Sequence, residues 1–323
     1  MVSNATCFSD MTRIDFFVPV ALAPGEPVQY NVYCQLCSQL PLENRTVHVL
    51  VHGGAYSHTY WDWPYRPEQY SYVYAMTTAG YATLNIDRIG IGKSSHPPVE
   101  LVTLSAHAYV LHQINQALRK GKIGGVAFNH IVNVGRSFGA LAIISAVSQY
   151  GGVDGVVITG LLNVIKTKIV AENINYFRYP VELDPRFKDK KLPPGYLTTK
   201  PGIREKIFYN QNFCDLEVIA LDEAMKETVT PAELSIDLSV FKLEKEIRVP
   251  VLVVIGQNDL FFCTPEVCAS ADSVAANEAP FFSPEACLQA FVLPNAGHNI
   301  NLHPNAREWY EAAHQWCQRF IID

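Results

Sequence analysis

Residues 131–146 of the chain read IVNVGRSFGALAIISA. A β-branched apolar run leads into Gly135-Arg136-Ser137-Phe138-Gly139, and small apolar residues that suit a helix follow. This order predicts a strand, a sharp turn with Ser137 at its apex, and a helix. Glycines two residues on either side of the serine lack the Cβ atoms that would clash where strand and helix approach each other. Ser137 is therefore a candidate nucleophile.

A serine hydroxyl is a weak nucleophile at neutral pH and needs a base, usually a histidine that a carboxylate holds in place. In open α/β sheets such groups follow the C-terminal ends of parallel strands. Asp259 follows the predicted strand 251–255, and His298 follows the predicted strand 287–293. The sequence thus predicts a catalytic triad of Ser137, Asp259 and His298.

Each partner of the serine also has a simpler interpretation. Asp259 alone could cap its own loop, a common role for an aspartate after a strand. His298 alone could be a surface histidine, and His303 competes with it for the role of base. His303 precedes Pro304 at the start of the last predicted helix, one step too late for the loop. Three partners in the right order on three strand ends favour the triad.

A second glycine turn, His52-Gly53-Gly54-Ala55, follows the predicted strand 46–51. Backbone N–H groups in such a turn can face the carbonyl group of a substrate. We expect the N–H groups of Gly54 and Phe138 to form an oxyanion hole, with the N–H of Ala55 as the alternative to Gly54.

The composition excludes several classes of function. The 323 residues are 49% hydrophobic and 17% charged, with a formal net charge of −6 and no long run of lysine or arginine. Nucleic acid and anionic membranes are therefore not expected partners. No apolar stretch approaches the length of a transmembrane helix, and no signal peptide is visible, so we expect a cytoplasmic protein.

Predicted strands and helices alternate along most of the chain, which favours an α/β domain with a mostly parallel sheet. Among the helices, one is predicted at 70–79 and another at 265–274. Residues 163–248 lose this periodicity and are too many for a loop in a compact domain. We expect a core domain made of residues 1–162 and 249–323, with 163–248 inserted as a helical lid.

Aromatic residues are concentrated in residues 56–65 and in the expected lid. They predict a large apolar pocket for an acyl group, with these candidate lining residues: Ala55, Tyr56, Trp61, Tyr176 and Phe177. The alternative is that the aromatic residues of the lid form a small core of its own.

The eight cysteines do not form a metal-binding or redox pattern. Cys34 and Cys37 are spaced as CxxC without a second such pair, so buried thiols are the better interpretation. Cys263, Cys268 and Cys287 are close enough along the chain for one disulfide, but the pairing stays open.

No cofactor or metal site is predicted. Gly92-Lys93-Ser94 resembles the end of a phosphate-binding loop, but Asp87 stands where that motif requires its first glycine. The histidines outside the triad show no metal-ligand spacing with cysteine or aspartate.

These motifs together resemble the α/β-hydrolase superfamily over nearly the whole chain. The matching segments are His52-Gly53-Gly54, residues 87–94 (DRIGIGKS), Gly135–Gly139, Gly256-x-x-Asp259 and Gly297-His298. The resemblance implies a mostly parallel eight-stranded sheet with helices on both faces, a lid between the sixth and seventh strands, and no cofactor. Ser137 departs from the aspartate nucleophile of epoxide hydrolases and haloalkane dehalogenases, which argues against those activities.

Tyr60-Trp61-Asp62 and Ser94-Ser95-His96-Pro97 are similar to segments of fungal hydrolases from secondary-metabolite pathways. Some of those enzymes release or cyclise polyketide chains, as thioesterases or lactone-forming enzymes. This resemblance implies an acyl substrate that a carrier protein could deliver as a thioester.

The sequence thus predicts a serine-dependent acyl hydrolase or acyl transferase, an esterase or thioesterase that passes an acyl group through Ser137 to water or to an internal hydroxyl. Two alternatives stay open: a lyase that cleaves a cyanohydrin without acylation, and a non-catalytic ligand-binding protein on the same fold. The acyl substrate and the oligomeric state are not predicted.

Overall fold

The computed structural model describes residues 11–163, 167–235 and 238–321. Its strands are β1 (Thr12–Val20), β2 (Tyr30–Ser38), β3 (Thr46–Val51), β4 (Ala82–Ile86), β5 (His130–Arg136), β6 (Gly155–Thr159), β7 (Tyr179–Pro180), β8 (Leu197–Thr198), β9 (Val251–Gly256) and β10 (Gln289–Leu293). Eight of them form one sheet in the order β1-β2-β4-β3-β5-β6-β9-β10. Only the pairs β1–β2 and β2–β4 are antiparallel in this sheet. The predicted mostly parallel eight-stranded sheet is confirmed.

The central strands are apolar because both faces of the sheet are covered. Every residue of β3, β4, β6 and β9 is buried. Alternate residues of β3 enter two different cores, with Val47 and Val49 on one side and Leu50 on the other. Continuous β-branched runs of this kind are typical of parallel strands between two layers of helices.

The helices are α1 (Pro67–Tyr70), α2 (Tyr72–Thr78), α3 (Leu104–Arg119), α4 (Phe138–Tyr150), α5 (Thr167–Ile174), α6 (Arg204–Phe208), α7 (Leu216–Ala224), α8 (Pro231–Leu234), α9 (Ala271–Glu278) and α10 (Ala306–Phe320). Helices α3, α4 and α9 pack in one core, and α2 and α10 pack in the other. Helices therefore cover both faces of the sheet, as expected. Within the described ranges, none is long and apolar enough to cross a membrane.

Two predicted helices differ from the structure. The helix predicted at 265–274 overlaps α9 only at its end, because α9 begins after Ser270, whose side chain accepts a hydrogen bond from the N–H of Ser273 in a capping box. The helix predicted at 70–79 is interrupted at Ser71, which has extended backbone angles and caps α2 through the N–H of Tyr74. Polar capping side chains decide both boundaries.

The described residues between β6 and β9, named the insert here, contain α5 to α8 and the short antiparallel pair β7–β8. None of these helices exceeds nine residues. Ile207, Phe208 and Val218 of the insert pack in the same core as α2 and α10. Residues 164–166 and 236–237 lie outside the described residues, and the expected boundaries at 163 and 248 stay a prediction.

The structure pairs Cys263 with Cys268 in a disulfide. Cys34 and Cys37 are buried free thiols, and Cys287 is an exposed one. The pairing that the sequence left open thus excludes Cys287.

Candidate active site

Ser137 occupies the sharp turn between β5 and α4, with backbone angles φ 54° and ψ −118°. This conformation is rare for a residue with a side chain and is typical of strained functional turns. A Cβ atom on Gly139 would lie 2.2 Å from the carbonyl oxygen of Val51, and one on Gly135 would lie 2.8 Å from the N atom of Ala140. Both glycines are therefore required for the turn.

The structure brings the three residues of the predicted triad together from three loops. The Nε2 atom of His298 lies 3.1 Å from the Oγ atom of Ser137. Its Nδ1 atom lies 2.7 Å from one carboxylate oxygen of Asp259. The other oxygen of Asp259 accepts hydrogen bonds from the N–H groups of Phe261 at 2.8 Å and Phe262 at 3.1 Å. The predicted nucleophile, base and carboxylate thus form one hydrogen-bond chain, as acyl transfer by a serine requires.

The electrostatics of the triad favour a neutral base and an ionised acid. Burial and the positive charge of Arg136 lower the pKa of His298, although the carboxylate of Asp259 acts in the opposite direction. Burial acts to raise the pKa of Asp259, but the contact with His298 and the two backbone N–H groups outweigh it and lower that pKa. His298 is therefore ready to accept a proton from Ser137 at neutral pH.

Glycines allow the loops that carry Asp259 and His298 to touch backbone to backbone. A Cβ atom on Gly256 would lie 2.2 Å from the carbonyl oxygen of Gly297. A Cβ atom on Gly297 would lie 2.7 Å from the carbonyl oxygen of Phe208 in the insert. The approach fixes the positions of the acid and the base relative to each other.

His303, the competing candidate for the base, supports the loop that carries His298. Its Nε2 atom accepts hydrogen bonds from the N–H groups of Gly297 at 2.9 Å and Asn210 at 3.2 Å. Its Nδ1 atom lies 2.9 Å from the carbonyl oxygen of Asn299. All of its polar capacity is used within the fold.

The predicted oxyanion residues lie beside the nucleophile. Gly54 and Phe138 line the same cavity as Ser137. Phe138 is the first residue of α4, so its N–H has no acceptor within the helix. Ala55 has a positive φ of 59°, and its carbonyl oxygen accepts hydrogen bonds from the insert, from the N–H of Glu227 at 3.1 Å and a guanidinium N–H of Arg204 at 3.3 Å. The insert thus supports the turn that carries Gly54.

An apolar cavity of about 100 Å³ opens beside Ser137 and His298. Its walls are Gly54, Arg136, Ser137, Phe138, Leu141, Leu161, Val170, Ile174, Phe177, Phe208, Val229, Glu233, Leu234, Phe261, Phe262 and His298. Half of these residues belong to the insert. The cavity is small, since pockets for drug-sized ligands occupy roughly 300–1,000 Å³.

Of the predicted pocket residues, Phe177 lines the cavity, while Ala55, Tyr56, Trp61 and Tyr176 are not among its lining residues. Trp61 is fully buried and packs against Tyr72 and Trp309, with ring centres 5.5 and 6.4 Å away. The interpretation of residues 56–65 as pocket wall is wrong for this reason: their aromatic rings fill the core beneath the sheet.

Sequence reasoning also missed residues that line the cavity. Phe261 and Phe262 directly follow Asp259, so the position of the acid was a signal for them. Val170 and Ile174 lie one helical turn apart on α5, a signal that the lost periodicity of the insert concealed. Within the described residues, no group of three or more histidine, cysteine, aspartate or glutamate side chains is arranged to hold a metal ion.

A sequence profile of the α/β-hydrolase family matches residues 49–308. The chain belongs to the α/β-hydrolase family. A search of curated proteins finds no significant match for this α/β hydrolase.

Several solved structures share its fold. An esterase from Thermogutta terrifontis is 16% identical with a TM-score of 0.59, and the match covers 96% of this chain and 99% of that one. A carboxylesterase from Bacillus subtilis is 15% identical with a TM-score of 0.58, covering 96% of this chain and 92% of that one. An esterase from Pyrococcus furiosus is 16% identical with a TM-score of 0.59, covering 96% and 92%. Identities this low establish a common fold and no more.

Two buried charge clusters join the insert of this α/β hydrolase to its core. The first, named the Arg88 cluster, contains Arg88 after β4, His107 of α3 and Glu233 of α8. Arg88 donates to the carboxylate of Glu233 and to the carbonyl oxygens of His52 at 2.9 Å and Gly53 at 3.2 Å. The Nε2 atom of His107 lies 3.0 Å from a guanidinium nitrogen of Arg88. The cluster therefore ties α8 to the turn before Gly54.

The second, named the Asp222 cluster, contains Asp222, Arg204, Tyr56, Asn299 and Arg136. Arg204 of α6 donates to both carboxylate oxygens of Asp222 of α7, at 2.8 and 3.1 Å. The hydroxyl group of Tyr56 donates to Asp222 at 3.0 Å and accepts a hydrogen bond from the side-chain amide of Asn299. The side-chain oxygen of Asn299 accepts a hydrogen bond from Arg136. This cluster reaches from the insert to the residues next to Ser137 and His298 in the chain.

Proposed function

We propose that this protein is a serine esterase that hydrolyses esters of small apolar carboxylic acids through an acyl-enzyme. The observation that carries the proposal is the hydrogen-bond chain Ser137–His298–Asp259 at 3.1 and 2.7 Å, which opens onto an apolar cavity. A positioned nucleophile, base and carboxylate beside an apolar pocket are the parts that acyl transfer requires.

In the first half of the proposed reaction, His298 takes the proton of Ser137 as the Oγ atom bonds to the ester carbonyl carbon. The N–H groups of Gly54 and Phe138 stabilise the resulting oxyanion. When the tetrahedral intermediate collapses, the bond to the alcohol breaks and His298 gives its proton to the leaving alcohol oxygen. In the second half, His298 takes a proton from water, the hydroxyl attacks the acyl-enzyme, and the proton returns to Ser137 as the acid leaves.

The cavity size supports a small acyl group. A volume of about 100 Å³ accommodates a short chain or a single ring, and the walls carry mainly aliphatic and phenyl side chains. That volume favours an acyl group that is too short to fold back on its own ester. We therefore favour water over an internal hydroxyl as the acceptor, and a simple ester over a polyketide chain on a carrier protein.

The test is hydrolysis of p-nitrophenyl esters from acetyl to dodecanoyl, combined with intact-protein mass spectrometry. We expect a preference for short acyl groups and an acyl adduct on the wild type. Ser137→Ala should show no adduct and a rate lower by at least about 10⁴-fold. Ser148→Ala, on the same α4 helix but remote from the cavity, is the matched control and should retain the rate.

The outcomes separate the alternatives. Undiminished hydrolysis in Ser137→Ala would overturn the serine mechanism. Cyanohydrin cleavage without any acyl adduct would indicate the lyase, and the absence of both would indicate a binding protein. Lactone in place of acid from a hydroxyacyl ester would identify the internal acceptor.

A further inference from the structure

Arg136 is the last residue of β5 and directly precedes Ser137. Its side chain is 1% exposed. The guanidinium carbon lies 4.8 Å from the ring centre of Tyr56 and 5.0 Å from that of Phe208. One N–H group donates to the side-chain oxygen of Asn299, and within the described residues the Nε atom has no hydrogen-bond partner. The rings of Tyr56, Tyr60 and Phe208 and the amide oxygen of Asn299 thus lie against this cation.

The charges of the Asp222 cluster do not balance. Its one carboxylate, that of Asp222, is held by Arg204 through both oxygens. Arg136 therefore contributes a positive charge that has no carboxylate partner in the cluster. Removing an ion from water is unfavourable unless an opposite charge compensates it. A buried cation without such a partner, one residue from a nucleophile, indicates an electrostatic role.

Arg136 and His298 contact the same ring, that of Phe208: the guanidinium carbon lies 5.0 Å and the centre of the imidazole 5.8 Å from the centre of this ring. Both residues line the same cavity, and Asn299, which accepts a hydrogen bond from Arg136, directly follows His298 in the chain. The other polar groups that face His298 are the carboxylate of Asp259 and the hydroxyl of Ser137. The rings of Phe208, Phe261 and Phe262 also pack against His298.

Two carboxylates farther from His298 are each paired with an arginine. In the insert, Asp222 pairs with Arg204, and Glu233 in the cavity wall pairs with Arg88. His303, in the same loop as His298, uses Nε2 as a hydrogen-bond acceptor and is held neutral, because burial lowers its pKa to about 4. The protonation of His298 is therefore set by burial and Arg136, which lower its pKa, against Asp259, which raises it.

We propose that Arg136 is a positioning residue of the esterase reaction, whose buried charge, held in place by Asn299, keeps His298 in its neutral base form. The proposal rests on the serine mechanism proposed above. Asp259 alone favours the protonated imidazolium, which cannot accept the proton of Ser137. Arg136 opposes that protonation and makes the imidazolium, once formed, a stronger acid toward the leaving alcohol.

As a consequence, hydrolysis should remain active to a lower pH than it would with an ordinary histidine as the base. Burial and Arg136 lower the pKa of His298 from its ordinary value of 6.5. Hydrolysis needs the neutral imidazole, so activity is present above this pKa and is lost as the pH falls through it. Removing the charge of Arg136 raises the pKa and moves the acid limb of kcat/KM to higher pH.

The experiment compares Arg136→Met, Arg136→Lys and Asn299→Asp with the wild type. Arg136→Met removes the charge, and Asn299→Asp keeps the arginine but places a carboxylate against it. Both should move the acid limb up by about one pH unit, while Arg136→Lys should leave it near the wild-type position. Arg119→Met removes a charge remote from the site and should not move the limb.

A second readout does not require turnover. The titration of the His298 imidazole is followed by NMR in the Ser137→Ala background and is assigned by its loss in His298→Asn. In each variant, its midpoint should shift by as much as the acid limb of kcat/KM moves in that variant. A structural role alone would lower kcat in Arg136→Met and Arg136→Lys alike without moving either the limb or the titration.

The outcomes distinguish this proposal from the proposed function. The role of Arg136 would be overturned, while hydrolysis stands, if neither the acid limb nor the His298 titration moved in a folded Arg136→Met variant. If that variant does not fold, Asn299→Asp provides the same test. A shifted titration in a protein that hydrolyses none of the esters would support the effect of Arg136 on His298 and refute the esterase.

Discussion

The Arg88 cluster and the Asp222 cluster lie on two sides of Ser137, and each joins the insert to the core. In the Arg88 cluster, one guanidinium faces one carboxylate, and His107 is neutral because burial and the charge of Arg88 lower its pKa. The Asp222 cluster contains two guanidinium groups and one carboxylate, which pairs with Arg204, while Arg136 donates to the side-chain oxygen of Asn299. The first cluster is balanced, and the second has one positive charge in excess.

The two clusters also differ in where they lie relative to His298, the proposed base. The Arg88 cluster lies under Phe138, with the guanidinium carbon 4.7 Å from the centre of that ring, on the side of the predicted oxyanion hole. The Asp222 cluster reaches His298 through Asn299. In the Arg88 cluster the charges compensate each other, and the cluster holds the backbone of the turn before Gly54. In the Asp222 cluster the excess positive charge lies near His298 and alters its protonation. A buried ion pair can thus hold an insert in place, and one unpaired charge can alter the protonation of a nearby base.

The largest expected effect is on stability, in Asp222→Asn. The variant leaves Arg204 and Arg136 buried without any carboxylate in the cluster and weakens the hydrogen bond from Tyr56. We expect the free energy of unfolding to fall by about 3–5 kcal/mol, measured by urea denaturation.

Glu233→Gln is the counterpart in the balanced cluster. It leaves a single cation unpaired, and Arg88 keeps the carbonyl oxygens of His52 and Gly53 as acceptors. The free energy of unfolding should therefore fall by less than in Asp222→Asn, by about 2–3 kcal/mol. An equal or larger loss in Glu233→Gln would contradict the contrast between the two clusters.

The next effect is the pH dependence of stability in the Arg88 cluster. Burial acts to raise the pKa of Glu233, but the charge of Arg88 and the contact with His107 outweigh it and lower the pKa from 4.5 to about 2. The ion pair therefore stabilises the fold fully above pH 4.5, and this contribution is lost as the pH falls toward 2.

The Glu233→Gln variant has no ionisable group at this position. The difference between its free energy of unfolding and that of the wild type should therefore shrink, by on the order of 2–3 kcal/mol, as the pH falls from 4.5 toward 2. Urea denaturation of both proteins at a series of acid pH values measures the difference. A deficit that stays constant with pH would mean that Glu233 is not ionised in the folded protein.

The core and the insert differ in how far sequence could predict them. Gly135 and Gly139 flank the sharp turn after β5, and Asp259 and His298 follow β9 and β10; at these strand ends local patterns carry the information. Most of the sheet and the identity of the triad candidates were therefore accessible from the sequence. The contact between His298 and Ser137 joins residues 161 positions apart, and only the fold supplies its distance.

The insert offered no comparable signal. Its helices are short, and they are held by contacts such as the one between Arg204 and the carbonyl oxygen of Ala55, which lie 149 positions apart in the chain. Trp61 shows the opposite error: its aromatic neighbourhood in sequence suggested a pocket, although the ring fills the core. Burial by distant elements decides such cases, and local composition does not reveal it.

The smallest expected effect concerns substrate size and sharpens the distinction between holding the insert and tuning the base. Phe177 of the insert lines the cavity and packs against Phe208, with ring centres 5.8 Å apart. Phe177→Ala should enlarge the cavity and shift the ratio of kcat/KM values toward the longer acyl ester by about tenfold, measured with butanoyl and octanoyl p-nitrophenyl esters.

Phe177 carries no charge, so its removal should leave the acid limb of the pH profile where it is in the wild type. Leu183→Ala truncates an exposed apolar side chain of the insert that does not line the cavity, and it should change neither quantity. If Phe177→Ala moved the acid limb, the insert would affect His298 through its packing, and the excess charge of Arg136 would no longer account for the difference between the clusters. If it moved only the acyl preference, the wall of the cavity and the protonation of the base would be independent properties of one site.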